Sequence, residues 1–180
     1  GGCGYIGSQL SYVLSDNKID HTIVDNLSTG YEILKNPEAA FYKIDISNKK
    51  KISNLLKKKK INCVMHLAAS ILVPESMKYP EKYYENNVIN LVKLLDACVE
   101  SKIKYFIFSS TCAVYGDIKK NKIKENDTKL PTSIYGKTKL VGEELIKYYA
   151  KKYKFKFVIL RYFNVIGSDS KLRTGSVKNT

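Results

Sequence analysis

A doubly wound, parallel α/β sheet is the fold class this sequence predicts. Three observations predict it. The chain opens on a glycine-rich heptad, Gly1-Gly2-Cys3-Gly4-Tyr5-Ile6-Gly7, of the kind that turns a strand into a helix. Short apolar runs then alternate with amphipathic segments of helical period. Carboxylates and hydroxyls recur where those runs end, at Asp25, Asp45 and Ser109-Ser110-Thr111. In a parallel sheet those ends face the ligand crevice.

In chain order, a helix is expected over about residues 5–17, then a strand over 21–25 and a loop over 26–30. A second strand covers 41–44. Ser47 or Asn48 can cap the next helix, which runs to about Lys58. Residues 62–67 read as a strand covered on both faces. A long helix should start near Pro80, with Val88, Leu91, Val92, Leu95 and Val99 as its buried stripe. A strand lies within 104–110. The polar loop 117–132 leads to a helix over about 133–152, and the last strand covers 155–160. A glycine turn of this kind should follow a strand, and nothing precedes Gly1. The expected sheet is therefore of Rossmann type, truncated, with its central first strand missing and a gap between its two halves.

Composition narrows the function. At 180 residues the chain can bury one domain's core. No apolar run reaches membrane-spanning length, so no membrane partner is expected. Cys63 and Cys98 lie in apolar segments and read as core thiols of a reducing compartment, with no metal-ligand spacing among the four cysteines. The net charge of +14 suggests nucleic acid, but only Arg161 and Arg173 among the 31 basic residues are arginine. Nucleic-acid readers favour arginine forks. Lysine, asparagine, isoleucine and tyrosine are abundant together, which reads as compositional drift, and no nucleic-acid partner is expected.

The glycines point to a pyrophosphate held at a helix N-terminus, where free amides and the helix dipole favour anions. Asp25 follows Gly1 by 24 positions. A carboxylate at that spacing meets adenosine ribose hydroxyls and repels a 2′-phosphate, which favours NAD over NADP. Tyr135 and Lys139 form Y-x-x-x-K on one helix face. An ammonium beside a phenol lowers its pKa and makes it usable as a base. Four such pairs occur, the others being Tyr31/Lys35, Tyr115/Lys119 and Tyr148/Lys152. Context selects Tyr135, because its helix opens near the strand end that carries Ser109-Ser110-Thr111, whereas Tyr148 sits nearly four turns further on.

Together these residues resemble the extended short-chain dehydrogenase/reductase superfamily. Gly4-Tyr5-Ile6-Gly7-Ser8, Asp25-Asn26-Leu27-Ser28, His66-Leu67-Ala68-Ala69, Tyr83-Tyr84-Glu85-Asn86-Asn87-Val88, Ser133 to Leu140 and Arg161 to Gly167 look like the UDP-glucose 4-epimerases within it. The resemblance implies that Tyr135 takes the sugar 4-hydroxyl proton, Thr111 hydrogen-bonds that hydroxyl, and C4 gives its hydride to NAD and recovers it on the other face. It implies that Lys139 binds the nicotinamide ribose and tunes Tyr135. Gly1, Gly4, Tyr5, Ile6, Gly7, Asp25, Asn26, Asp45, Ile46, Leu67, Ala68, Ala69, Asn86, Ser109 and Phe163 would line the cofactor, and Asn164 would face the UDP-sugar. Read from the residues alone, Asp45, Asn86 and Asn164 could equally be caps or turns.

Three departures stand out. Ile71 occupies a position where some members carry lysine, and Pro74 one where glycine is frequent. The third is extent, since members continue into a C-terminal lobe that binds the uridine nucleotide. The resemblance therefore implies a dinucleotide-binding domain over 1–167, with 168–180 starting a connection to that lobe, and inactivity of these 180 residues alone. It also implies a cytoplasmic isomerase, with a possible homodimer through the helices near 80–100 and 133–152. A 4,6-dehydratase would need an acid and a base after Thr111, where Cys112-Ala113 stand. Epimerases of UDP-glucuronate or N-acetylated sugars, and a non-catalytic NAD-binding domain, remain as alternatives.

Overall fold

The computed structural model describes residues 1–118 and 122–177. In order, its elements are α1 (Tyr5–Asp16), β1 (Thr22–Asp25), β2 (Ala40–Lys43), α2 (Lys49–Lys58), β3 (Cys63–His66), α3 (Val73–Lys78), α4 (Pro80–Tyr84), a π turn (Glu85–Ile89), α5 (Asn90–Glu100), β4 (Tyr105–Thr111), α6 (Ile134–Tyr153) and β5 (Lys156–Tyr162). Every strand pairing is parallel. The sheet is in two pieces, β1-β2 and β3-β4-β5, which is the expected gap. Gly1 and Gly2 sit against β1, both donating to the Val24 carbonyl, at 2.7 and 3.4 Å.

β4 is the centre of the larger piece, and its Phe106 and Phe108 are buried. Around them pack Leu91, Leu94, Leu95 and Cys98 of α5, Ile52 and Leu56 of α2, and Ile146 and Ala150 of α6. Of the stripe expected after Pro80, Leu91 and Leu95 are buried, whereas Val88, Val92 and Val99 are only partly so, and Leu94, Ala97 and Cys98 complete the buried face of α5. Asn48 rather than Ser47 caps α2, accepting from the Lys51 amide at 3.0 Å. Ser133 caps α6 in the same way through the Gly136 amide, at 3.0 Å.

The structure corrects several expectations. The long helix from Pro80 is interrupted, because one turn over 85–89 is wound as a π-helix. α3 had no counterpart in the sequence reading. Pro74 lies in its first turn, where a missing N–H costs nothing, so it starts a helix rather than stiffening a loop. Cys98 is buried as expected but Cys63 is exposed. Cys63 begins β3, an edge strand with no neighbour on its outer side. β4 and β5 each run further than expected, so Thr111 and Arg161 lie inside strands.

Four helices end on lysine in the left-handed region: Lys18 (φ 57°), Lys60 (51°), Lys102 (55°) and Lys154 (63°) follow α1, α2, α5 and α6. Glycine is the usual residue there because a Cβ meets the neighbouring carbonyl. Lysine instead brings a cation to the negative helix pole. Lys154→Gly should therefore raise unfolding free energy by about 0.5–1 kcal/mol, read as a higher urea midpoint, with Lys154→Ala giving no gain.

Candidate functional site

The glycine turn packs as its spacing requires, though for a different reason than torsion. A Cβ on Gly1 would collide with the Ala68 amide nitrogen, and one on Gly7 with the Gly1 carbonyl oxygen and, at 2.7 Å, with the Gly2 Cα. On Gly4 the nearest atom would be 3.5 Å away. Gly1 and Gly7 thus permit backbone-to-backbone packing, while a Cβ on Gly4 would make only an ordinary contact with the Gly1 carbonyl oxygen. Neither Gly4 nor Gly7 has a positive φ, so the entry into α1 makes no use of glycine's left-handed freedom. Gly4 precedes α1 in extended conformation, no side chain caps the helix, and its first turn carries no acidic residue. The first amides of α1 are left for an anion.

Beside this turn, Asp25 ends β1 and is 6% exposed. Its carboxylate accepts from the Cys3 amide at 2.9 Å and the Leu27 amide at 2.8 Å. Each oxygen keeps further acceptor capacity. Gly30 sits against it, where a Cβ would come within 3.1 Å of both oxygens. The sequence reading passed over Gly30, which nothing but its place in the loop after Asp25 could have flagged. Asn26 donates to Asp45 at 2.7 Å, and the Ser47 amide to the other Asp45 oxygen at 2.7 Å. Burial works to raise the Asp45 carboxyl, but these bonds prevail and hold it below its ordinary value. Ile46, half-buried, follows directly. The structure thus brings Asp25, Asn26 and Asp45 together at the ends of β1 and β2.

Across the gap, Leu67, Ala68 and Ala69 leave β3 with their backbone against Gly1. Asn87 fixes this exit. It is 2% exposed, accepts from the Ser70 amide at 2.8 Å and donates to the Ser70 carbonyl at 2.9 Å. It also donates to Thr138 Oγ1 at 3.2 Å, and Thr138 donates to the Tyr135 carbonyl at 2.8 Å. Asn86 donates to Ser70 Oγ and Asn87 Oδ1, both at 3.2 Å. Both asparagines ride on the π turn, a distortion frequent at functional sites. Sequence reasoning singled out Asn86 and missed Asn87.

The third cluster lies at the C-terminal end of β4. The phenol of Tyr135, at the start of α6, lies near enough to the Thr111 hydroxyl for it to favour the phenolate. Thr111 Oγ1 also accepts from the Ala113 amide at 3.1 Å and so starts the 3₁₀ turn Cys112–Tyr115. The Tyr135 amide donates to Ser76 Oγ at 3.1 Å. Lys139 is 3% exposed; its Nζ donates to the Ser109 carbonyl at 2.7 Å and lies 4.9 Å from the centre of the Phe108 ring. Burial lowers its pKa to about 7. The phenol of Tyr135 behaves against expectation. Burial raises its pKa, the nearby Thr111 hydroxyl opposes that, and Cys112 adds to the rise. Lys139 Nζ is directed to the Ser109 carbonyl.

Of the other Y-x-x-x-K pairs, Tyr148 is 59% exposed and Tyr31 precedes the short 3₁₀ turn Glu32–Leu34. Lys119 lies outside the described residues. Phe163 and Asn164 are exposed beyond β5. The segment after them returns to α1. Gly167 O accepts from Tyr5 Oη at 2.5 Å, Thr174 meets Ser8 at 2.6 Å, and Arg173 pairs with Asp16 at 2.7 Å. Residues 178–180 lie outside the described part. Among the described residues no helix is long and apolar enough to cross a membrane, and no group of three acidic, histidine or cysteine side chains could hold a metal.

A glycine turn, a strand-end aspartate and a tyrosine–threonine pair are what a dinucleotide-dependent site would draw on, and comparison with known proteins supplies the family. Residues 1–178 match the NAD dependent epimerase/dehydratase family. The chain belongs to that family. Among curated family members, the UDP-glucose 4-epimerase of Lacticaseibacillus casei is 43% identical over 168 residues, 93% of this chain and 51% of that protein. The crystal structure of the UDP-glucose 4-epimerase of Brucella ovis in complex with NAD superimposes with a TM-score of 0.91 at 38% identity, over 94% of this chain and 52% of its own. The UDP-N-acetylglucosamine 4-epimerase of Methanobrevibacter ruminantium M1, in complex with UDP-N-acetylmuramic acid, gives 0.85 at 38% identity, over 94% and 55%. The chain thus spans about half the length of the family members it matches.

The buried Lys139 sets a pH signature. Between pH 7 and its ordinary pKa the folded lysine is neutral while the unfolded one binds a proton. The unfolded state holds more protons, so stability rises with pH across that window. Urea unfolding at pH 7, 8 and 9 should show this rise, and Lys139→Met should flatten it.

Proposed function

We propose that the whole protein carrying this chain is a UDP-glucose/UDP-galactose 4-epimerase that keeps NAD bound through its cycle. The observation that carries the reading is the nearness of the Tyr135 phenol to the Thr111 hydroxyl at the rim of β4, within the same family fold as the glycine turn. The residues fit NAD. α1 offers uncapped amides beside Gly4, Asp25 keeps acceptor capacity for ribose hydroxyls, and Asn26 and Asp45 border the adenosine end. Tyr5, Ile6, Ile46, the 67–69 exit, Asn86, Ser109 and Phe163 complete the lining, and Lys139 holds the nicotinamide ribose. When bound, NAD supplies a reversible hydride acceptor, which lets an alcohol and a ketone interconvert at sugar C4.

This chain's residues manage the proton and the position. Tyr135 Oη accepts the proton of the sugar 4-hydroxyl and returns it. Thr111 Oγ1 hydrogen-bonds both that hydroxyl and the phenol, which stabilises the phenolate against the burial that disfavours it. Asn164 faces the sugar nucleotide. Cys112 and Ala113 offer no acid–base pair for dehydration. Residues 1–167 form the dinucleotide-binding domain, 168–180 lead toward a substrate lobe, and residues 1–180 alone do not turn over. The protein works in the cytoplasm. A second copy docks through the region of α4 to α6, where Tyr84, Ile89, Val141 and Tyr148 are exposed. The likeness to a UDP-N-acetylglucosamine epimerase favours an N-acetylated sugar as second substrate, decided by comparing kcat/KM on the two UDP-sugars.

Tyr135→Phe in the whole protein tests the reading. UDP-galactose conversion should fall at least about a thousandfold while NAD remains bound. Retained turnover would remove Tyr135 as the base.

A further inference from the structure

We propose that the buried Glu143–Arg161 pair is a positioning device that locks α6 onto the rim of β4 and β5, so that Tyr135 meets Thr111. Glu143 is fully buried, an unusual place for a carboxylate. Its Oε1 accepts from Ser110 Oγ at 2.6 Å and Arg161 Nε at 2.8 Å, and its Oε2 from Arg161 Nη2 at 2.6 Å. This is a two-pronged guanidinium–carboxylate pair with an added hydroxyl. Arg161 Nη1 donates onward to Tyr115 Oη at 2.7 Å and to the Glu125 carbonyl at 2.8 Å.

The placement of these partners carries the inference. Ser110 is the residue before Thr111. Tyr115 closes the 3₁₀ turn that Thr111 starts. Glu143 lies on α6 eight residues after Tyr135 and four after Lys139, hence on their face. Ser110 and Arg161 are directly paired across β4 and β5. One ion pair therefore ties α6, which carries Tyr135, to β4, which carries Thr111, and to β5.

Stability alone does not account for it. A buried ion pair contributes little compared with apolar residues of equal volume, because desolvation offsets its attraction. What it supplies is direction, since a bidentate pair tolerates little sliding of α6 along β4. Nor is Glu143 suited to proton transfer. Burial works to raise its carboxyl, but Arg161 and Ser110 prevail and hold it ionised.

The inference rests on the proposed roles of Tyr135 and Thr111, and its test separates the two. In the whole protein, Glu143→Gln and the milder Ser110→Ala are measured beside the unaltered protein. The expected result is a kcat for UDP-galactose lowered about tenfold or more with KM within about twofold. The Tyr135 phenol, whose neighbours are Thr111, Cys112 and Tyr83, should titrate higher, read as ultraviolet difference absorbance against Tyr135→Phe. A merely structural role would lower the melting temperature and leave that titration in place. If Glu143→Gln does not fold, Ser110→Ala decides. Unchanged kcat, or an unchanged phenol titration in a folded variant, overturns the proposal. Absence of any UDP-sugar turnover in the unaltered protein would instead overturn the epimerase reading, and the titration would still test the clamp.

Discussion

The register of β4 against its two neighbours is the constraint on which the site depends. Parallel pairing sets Ser110 beside Arg161 and Thr111 beside Tyr162, and places His66, the last residue of β3, beside Phe108. Every chemically useful group at this rim is displaced from that register by one residue or one hydrogen bond. A slip of one residue would turn Thr111 to the opposite face. The buried Phe106 and Phe108 hold the register from below, because alternation fixes which face of β4 meets the helices.

The buried charges follow from the same geometry. Lys139 is carried into the interior by α6 and answered there only by a carbonyl and an aromatic ring. His66 is buried too, and burial, with Lys139 adding to it, keeps its ring neutral. Glu143 and Arg161 cancel one another a turn away. The +14 excess of the chain therefore sits almost wholly on surface lysines, four of them closing helices, and leaves the site's own electrostatics to a handful of desolvated groups.

Much of this was legible in the sequence where the signal is local. Period and punctuation located the strands and the main helices, the glycine spacing located the turn, and the strand-end position of Asp25 marked its role in the loop. Context separated Tyr135 from the exposed Tyr148 although their spacing to lysine is identical. What could not be read is what depends on distant partners. Glu143 is one glutamate in a lysine-rich helix until Ser110 and Arg161, 33 and 18 residues away, are seen around it. Asn87 looks like any helical asparagine until Ser70 is placed beside it. The turn of Lys139 toward the Ser109 carbonyl, 30 residues away, is likewise set from a distance. None of these leaves a pattern within a window of ten residues.

The π turn at 85–89 has an evolutionary corollary. A π turn holds one residue more than an α turn, so α4 and α5 are out of phase by that residue, about 100° of rotation. Removing any single amino acid there would let the whole stretch wind as ordinary helix, with little local penalty. Everything on one side of the deletion would then swing away from its partners, either Tyr83 from the Leu72 carbonyl it bonds or Leu91 from the interior. Substitutions in this turn can be absorbed one at a time, but its length cannot drift.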